Sequence, residues 1–265
     1  MKISRLLLFV LLVSGFTACN DDEEDFFPVE IGRVLTDLQT SFDTLNIAMA
    51  AGAAVISLDV SDTSMIRSKL LNLYNFSTFS ENFSFIDDNG ILQIIEPAAF
   101  YPYQGSDVSG QDHVIEMFQT HQPVLSKVFY AVEGYYAAVD LHPVIHLTNL
   151  VGGVSTLFQP DDILGRIIIP YVTGQAFEMW VMEKGGLVLY DQDEEEIGLN
   201  VITDPLYQDF PELIAAAELI DSVKSGETTY SFYQTGTTNK VVKRTYWDTF
   251  YLYGNEWKVV WVKPE

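Results

Sequence analysis

The chain has 265 residues and is 48% hydrophobic, a balance that suits a globular protein with one large or two small cores. Its 37 acidic against 14 basic residues leave a net charge of −23, a field that repels phosphate backbones and anionic lipid headgroups, so nucleic acid is excluded as a partner. The one cysteine, Cys19, excludes an internal disulfide.

Lys2 and Arg5 precede the apolar run Leu6 to Val13, and Phe16-Thr-Ala-Cys19 closes the segment. A charged start, a short apolar run and small residues before a cleavage point describe a secretory leader, and the run is far below the roughly 18 to 20 residues of a spanning helix. With cysteine where lipidation needs it, residues 1–18 resemble a bacterial lipoprotein signal peptide, and Cys19 the lipidated first residue of the mature chain. An extracytoplasmic, membrane-anchored protein on the periplasmic or cell-surface face is the expectation. Residues 19–30 read as an acidic tether, because Asn20-Asp-Asp-Glu-Glu-Asp25 repels itself into an extended form. That run is similar to the acidic stretch after the lipidated cysteine in surface-exported lipoproteins of the Bacteroidota.

Within residues 31–60 the apolar positions Ile31, Leu35, Leu38, Phe42, Leu45, Met49, Gly52 and Ile56 fall at steps of four and three. This is a heptad seam on one long helix, a spine for the protein's own body, a surface for a homodimer, or both. Alanines from Ala48 onward widen the apolar face and favour burial against the chain's own body.

Residues 61–160 form a first module. Ser61 or Asp62 can cap a helix over Thr63 to Tyr74. Phe83 to Ile95 reads as a hairpin whose turn, Asp88-Asn89-Gly90, tolerates positive φ. Ser109 and Asp112 suggest a capping box for a helix stopped by Pro123, and Val128 to Phe158 reads as three antiparallel strands.

Residues 161–265 form a second module. Pro160-Asp161-Asp162 opens a helix that Pro170 should end, Asp209 can cap a helix over Leu213 to Ile220, and three strands close the chain around a Gly254-Asn255 turn. The second module repeats the first in outline. Gly90 of one hairpin turn and Gly186 of the other are about 96 residues apart, and the following loops, Gly105-Ser-Asp107-Val108 and Gly198-Leu-Asn200-Val201, are about 93 apart.

The strongest candidate site is the cluster Tyr101, Tyr103, Asp107, Tyr130, Tyr136, Asp140 and His142. Tyrosines supply flat apolar walls with polar tips, and on a strand Tyr136, Asp140 and His142 point to one side. His142 and His146 are four apart, but neither they nor Asp191 to Glu196 match a zinc or calcium spacing, so no metal is implied. The acidic run reads as a solvated loop, and Lys240, Lys243 and Arg244 as local charge compensation. Hydrolase signatures and phosphate-binding glycine loops are absent, which argues against an enzyme and implies no cofactor.

The order strand, strand, helix, three strands, built twice behind a long helix, resembles the double Cache domain of chemoreceptors and histidine kinases. The resemblance rests on Phe85-Ile-Asp-Asp-Asn-Gly90, Tyr103-Gln-Gly105-Ser-Asp107-Val-Ser109, Gln122-Pro-Val124-Leu-Ser126, Gly152-Gly153, Val181-Met-Glu-Lys-Gly-Gly186 and Ile197-Gly-Leu-Asn200. It implies an α+β fold of two tandem PAS-like antiparallel-sheet modules behind a long N-terminal helix, with a small-molecule pocket in the first, membrane-distal module and the second module membrane-proximal. Amino-acid-sensing members hold the ligand carboxylate with an arginine; this chain has none between Arg67 and Arg166, which argues against an amino acid. With Glu265 directly after the last strand, no output region is expected, and a signalling partner protein is implied. The expected function is a lipid-anchored small-molecule sensor; the alternative is a surface interaction or scaffolding lipoprotein that keeps the fold without a ligand.

Overall fold

The computed structural model describes residues 27–265; the leader, Cys19 and the acidic run 20–25 lie outside them. Helix α1 spans Val29–Ile56, so its first two residues, Val29 and Glu30, occupy the end of the stretch read as tether, and it stops four residues before position 60. Asp59 and Asp62 take over beyond it: Asp59 accepts from the Ser61 amide, and Asp62 accepts from the Met65 amide at 2.9 Å to cap α2, Thr63–Phe76.

The first sheet contains β1 (Asn82–Asp87), β2 (Leu92–Glu96), β3 (Val124–Leu125), β4 (Phe129–Tyr130), β5 (Tyr136–His146) and β6 (Asn149–Phe158), with helix α3 (Asp112–Thr120) between β2 and β3. Its order is β2-β1-β6-β5-β3, with β4 paired to β5. Helix α4 (Pro160–Val172) leads to the second sheet, built from β7 (Glu178–Glu183), β8 (Val188–Tyr190), β9 (Gly226–Tyr233), β10 (Lys240–Leu252) and β11 (Asn255–Pro264), with α5 (Pro211–Ser222) before β9. Its order, β8-β7-β11-β10-β9, reproduces that of the first, and all pairings are antiparallel.

The repeat extends to individual hydrogen bonds. Val108 donates to the Gly90 carbonyl and Val201 to that of Gly186, each at 2.9 Å; Gly105 donates to Leu92 at 2.7 Å and Gly198 to Val188 at 2.9 Å. Both turn glycines have positive φ, and a Cβ would lie 2.5 Å from Ser109 at Gly90 and 2.9 Å from Asn200 at Gly186. The loops pack so closely on the turns that only glycine fits.

Three local readings need correction. Ser109 does not cap α3: its amide and hydroxyl both bond Asp107 Oδ1, and Gln111 stands at the cap position without a side-chain bond. Pro170 does not end α4, which runs to Val172: the ring forgoes one N–H bond back along the helix, but the Thr173 amide still bonds the Ile169 carbonyl at 3.0 Å and closes the last turn. The residue before α5 is Phe210, not Asp209.

One face of each sheet packs on α1, α2 and α4 in a shared core; the other faces carry separate cores under α3 and α5. Phe42 of α1 marks the junction. Its ring lies 5.7 Å from Phe79, 5.8 Å from Phe158, 5.7 Å from Phe250 and 5.8 Å from Trp257, two rings from each module. The heptad seam is thus covered by the chain's own sheets, and the helix is a spine.

Candidate functional site

Alternation along the strands decides which side chains reach which face. On the α3 side of the first sheet, Asn82 and Ser84 of β1, Val139 of β5, and Ser155 and Leu157 of β6 form the floor of a small cavity of about 30 Å³. Its walls are Val108, Gln111, His113, Phe129 and the loop residues Ala131, Val132 and Glu133. Three polar side chains on a covered sheet face are costly unless paired. Ser84 and Ser155 bond each other at 2.5 Å, and Asn82 Nδ2 donates to Glu133 Oε1 at 3.2 Å.

The 131–135 segment closes over this floor as a tight turn, with Ala131 donating to Tyr135 at 2.9 Å and Gly134 to Ala131 at 3.0 Å. Two side-chain bonds tie it down: Asn82 to Glu133, and the Tyr103 hydroxyl to the Glu133 carbonyl at 3.2 Å. Burial raises the Glu133 carboxyl above the usual range, while the Asn82 bond opposes it. The Tyr135 hydroxyl is buried without a hydrogen-bond partner, and burial with the nearby Glu81 and Glu133 charges raises its pKa. Burial also lowers His113 to about 4, so the imidazole facing the cavity is neutral at pH 7, with its ring 4.9 Å from Phe129.

The seven residues singled out from the sequence fall in several places around this cavity, and none lines it. Tyr103 holds its covering loop. Tyr101 donates to Glu96 Oε1 at 2.7 Å, beneath the Arg67 guanidinium that also bonds Glu96. Asp107 is exposed and closes the turn before α3. Tyr130 and Tyr136 meet edge to face at 5.3 Å on the outer rim and are 62% and 68% exposed. Tyr136, Asp140 and His142 do share a strand face, but for Asp140 and His142 that face is turned to α1: the His142 ring bonds Asn46 Oδ1 at 3.1 Å and lies 3.3 Å from Asp140 Oδ1. Asp140 is fully buried, and desolvation raises its pKa against the pull of His142.

Beyond the cavity, the first module is wired to the second. Ser126 and Val128 follow β3; the Ser126 carbonyl accepts from Asn255 Nδ2 at 2.9 Å, and the Val128 amide donates to Glu183 Oε1 at 3.2 Å. Asn255 Nδ2 also reaches Glu183 at 3.3 Å, and Tyr253 of the same turn lies 5.9 Å from the His142 ring. Phe129, which walls the cavity, is one residue from this clamp.

The second module has a larger cavity of about 100 Å³ between its sheet and the loops after β8 and β9. Trp180, Tyr230, Phe232 and Tyr233 wall it, with Glu178, Asp191, Glu196 and Lys243 among its lining. The acidic loop is not simply solvated, since Asp191 and Glu196 are half-buried, whereas the basic cluster does offset charge locally: Lys243 is buried with Nζ 3.1 Å from Glu178 Oε2, and Arg244 Nε lies 3.1 Å from Glu265 Oε1. Among the described residues, no three His, Cys, Asp or Glu side chains are grouped to hold a metal ion, and no helix is long and apolar enough to cross a membrane.

Residues 40–160 match the family model described as HK/GC/Chemotaxis protein-like, sensor domain. Among solved structures, an extracellular ligand binding receptor from Desulfohalobium retbaense DSM5692 is 27% identical, with a TM-score of 0.75 over 89% of this chain and 40% of that one. The chain thus spans two fifths of that receptor's length. The ligand-binding domain of the Pseudomonas aeruginosa PAO1 amino acid chemoreceptor PctB, in complex with L-Gln, is 12% identical with a TM-score of 0.63 over 89% of both chains. The periplasmic sensory domain of the Campylobacter jejuni chemoreceptor Tlp1 is also 12% identical, with a TM-score of 0.63 over 89% of this chain and 92% of that one. No curated protein sequence matches. Two PAS-like sheets on one long helix, with a sensor-domain pattern over the first, define a double Cache-type fold of the kind found in extracellular sensors.

Proposed function

We propose that this protein is an extracytoplasmic sensor that takes a small polar solute into its first module and reports through a separate partner protein. The observation that carries the reading is the buried polar floor, Asn82, Ser84 and Ser155, beneath a loop whose Tyr135 hydroxyl has no partner. A sheet face needed only for packing would be apolar. No Lys or Arg lines the cavity, while Glu133 does, so the solute is neutral or cationic and not a carboxylate. At about 30 Å³ the space holds roughly one water, so entry requires the 131–135 loop to lift. Loop-down and loop-up are the two arrangements between which a ligand can choose.

In this reading Tyr101, Tyr103, Asp107, Tyr130 and Tyr136 belong to the rim and its supports, while Asp140 and His142 act from the far face by coupling β5 to α1 through Asn46. The clamp of Ser126, Val128, Glu183 and Asn255 carries the change to the second module. Cys19 is the lipid anchor, residues 1–18 its signal peptide and 19–30 largely its tether, and the signal leaves through another protein. Any homodimer contact lies on the outward face of α1, where Ile47 is 73% exposed.

The test is a thermal-shift screen of the purified protein with amines, polyols, purines and carboxylates. A first-module ligand at 100 times its dissociation constant stabilises by about 2.7 kcal/mol. That shift must fall in Ser84→Val, whose side chain fills the floor. Stabilisation by carboxylates alone, or by nothing, contradicts the proposal. The smallness of the first-module cavity favours a second reading, a scaffolding lipoprotein with a filled site, which predicts no shift with any class.

A further inference from the structure

A cleft between the two modules takes no part in that account. It holds about 630 Å³, within the usual range of small-molecule sites, and lies where two domains meet, a frequent place for them. The first module lines it with the start of α3 and the 124–129 segment, the second with the β10–β11 turn, Tyr253 to Asn255. Its inner wall, Gln111, His113 and Phe129, is also a wall of the first-module cavity, so these side chains separate the two spaces.

The cleft is lined by buried polar groups that lack partners. The His113 ring, 6% exposed, opens on both spaces and makes no hydrogen bond among the described residues. Burial keeps it neutral at pH 7, so one nitrogen donates and the other accepts. Ser126, 5% exposed, stands opposite Val139, whose side chain belongs to the α3-side core, so its hydroxyl is on the side of the cleft. That hydroxyl accepts from the Val139 amide at 2.8 Å, and its own proton has no acceptor among the described residues. Gln111, half-buried, makes no side-chain bond at the start of α3. Groups of this kind are costly in a wall unless a partner arrives.

Their chemistry limits what that partner can be. All three are neutral and between them offer both donors and acceptors, the complement of hydroxyl groups. Phe129 and Tyr253, one from each module, add flat apolar surface for a carbon skeleton. The charges in the lining, Asp112, Glu116 and Lys127, are exposed and of mixed sign, so they select no ion.

We propose that the cleft between the modules binds a neutral polyhydroxylated solute of monosaccharide size, with hydroxyls on Gln111, His113 and Ser126 and its carbon skeleton against Phe129 and Tyr253. The site is separate from the polar floor of Asn82, Ser84 and Ser155. Ser126 and Asn255 also belong to the clamp, with Asn255 Nδ2 2.9 Å from the Ser126 carbonyl. A solute held from both sides therefore favours one arrangement of the modules over others, and acts directly on their joint.

Isothermal titration of the purified protein with glucose, myo-inositol, sorbitol and gluconate tests this. At least one of the three neutral compounds should bind. Gluconate, with a carboxylate where sorbitol has a hydroxymethyl group, should bind more weakly than that compound. His113→Phe keeps a ring but removes both nitrogens, and Ser126→Ala removes the free proton; each should weaken the neutral ligand roughly 2- to 13-fold, the worth of a neutral hydrogen bond. Tyr253→Ala, in the other module, should weaken it as well, and the bound ligand should slow amide exchange in the 253–255 turn. Ser84→Val should leave the affinity unchanged, whereas a ligand of the first-module cavity would lose it. Circular dichroism checks the fold of each variant, and the two first-module substitutions keep the test sound should one misfold. Absence of binding by all three neutral compounds, gluconate binding as tightly, or affinity lost in Ser84→Val overturns the proposal. So does affinity retained in His113→Phe and Ser126→Ala alike, or a 253–255 turn that the ligand leaves unchanged.

Discussion

Replacing Phe42 by alanine tests whether the two modules stand on one spine. The ring is fully buried and touches Phe79 and Phe158 on one side, Phe250 and Trp257 on the other. Removing it forfeits the transfer free energy of a buried phenyl group and leaves a cavity that four other rings cannot easily close, a loss of about 3–5 kcal/mol. For a chain of this size each kcal/mol lowers the melting temperature by about 2–4 °C, so a fall of roughly 6–20 °C is the expected result. Calorimetry should show one transition before and after the substitution, moved as a whole. Ile47→Ala, on the exposed face of the same helix, should change stability by less than about 0.5 kcal/mol. A variant that splits into two transitions, with one at the original temperature, would refute the shared-core account.

Other substitutions probe the repeat, the second cavity and the loop. Gly90→Ala should destabilise by more than Gly105→Ala: both positions have positive φ, costing about 1–3 kcal/mol, but a Cβ at Gly90 also lies 2.5 Å from Ser109, whereas at Gly105 nothing is within 4 Å. Denaturant titration of the pair measures the difference, and equal losses would contradict the close packing of loop on turn. Burial pushes Asp191 up to about 7, with Glu196 and Glu178 adding to the effect and the Asp193 amide and Lys243 opposing it. The folded state therefore keeps a proton that the unfolded chain releases near pH 4, and this contribution to stability is lost as pH rises from about 4 to 7. Relative to wild type, Asp191→Asn should gain stability across that interval, and a pH-independent difference would count against the burial argument. Glu133→Ala removes the carboxylate that receives Asn82, so amides of the 131–135 loop should exchange faster while those of β1 and β6 do not.

The repeat was legible because it is written in hairpin turns and glycines, whose backbone demands are local. Gly90 and Gly186 could be paired from the sequence, and the hydrogen bonds from Val108 and Val201 are their counterparts in space. The spine was legible as a period in the apolar residues, but a period does not name its partner; the Phe42 contacts do. The candidate site was harder. Alternation on β5 groups Tyr136, Asp140 and His142 correctly, yet it cannot tell the cavity side from the side facing α1, because both faces of the sheet are buried. The polar floor left a fainter signal: Asn82 and Ser84 alternate with Phe83 and Phe85 on a strand buried on both faces. Glu133 left none, since a loop glutamate looks solvated until the fold closes over it. Lys243 was hidden in a basic cluster, and only its period-two position relative to Arg244 separates the buried cation from the exposed one.

Hydrogen exchange of residues 131–135, recorded with and without a neutral or cationic solute that stabilises the protein, tests first-module sensing most directly. The account predicts that the solute changes protection in this loop and in Ser126 to Phe129, and that Ser84→Val abolishes the change. Stabilisation by such solutes that leaves both segments unaltered would contradict it.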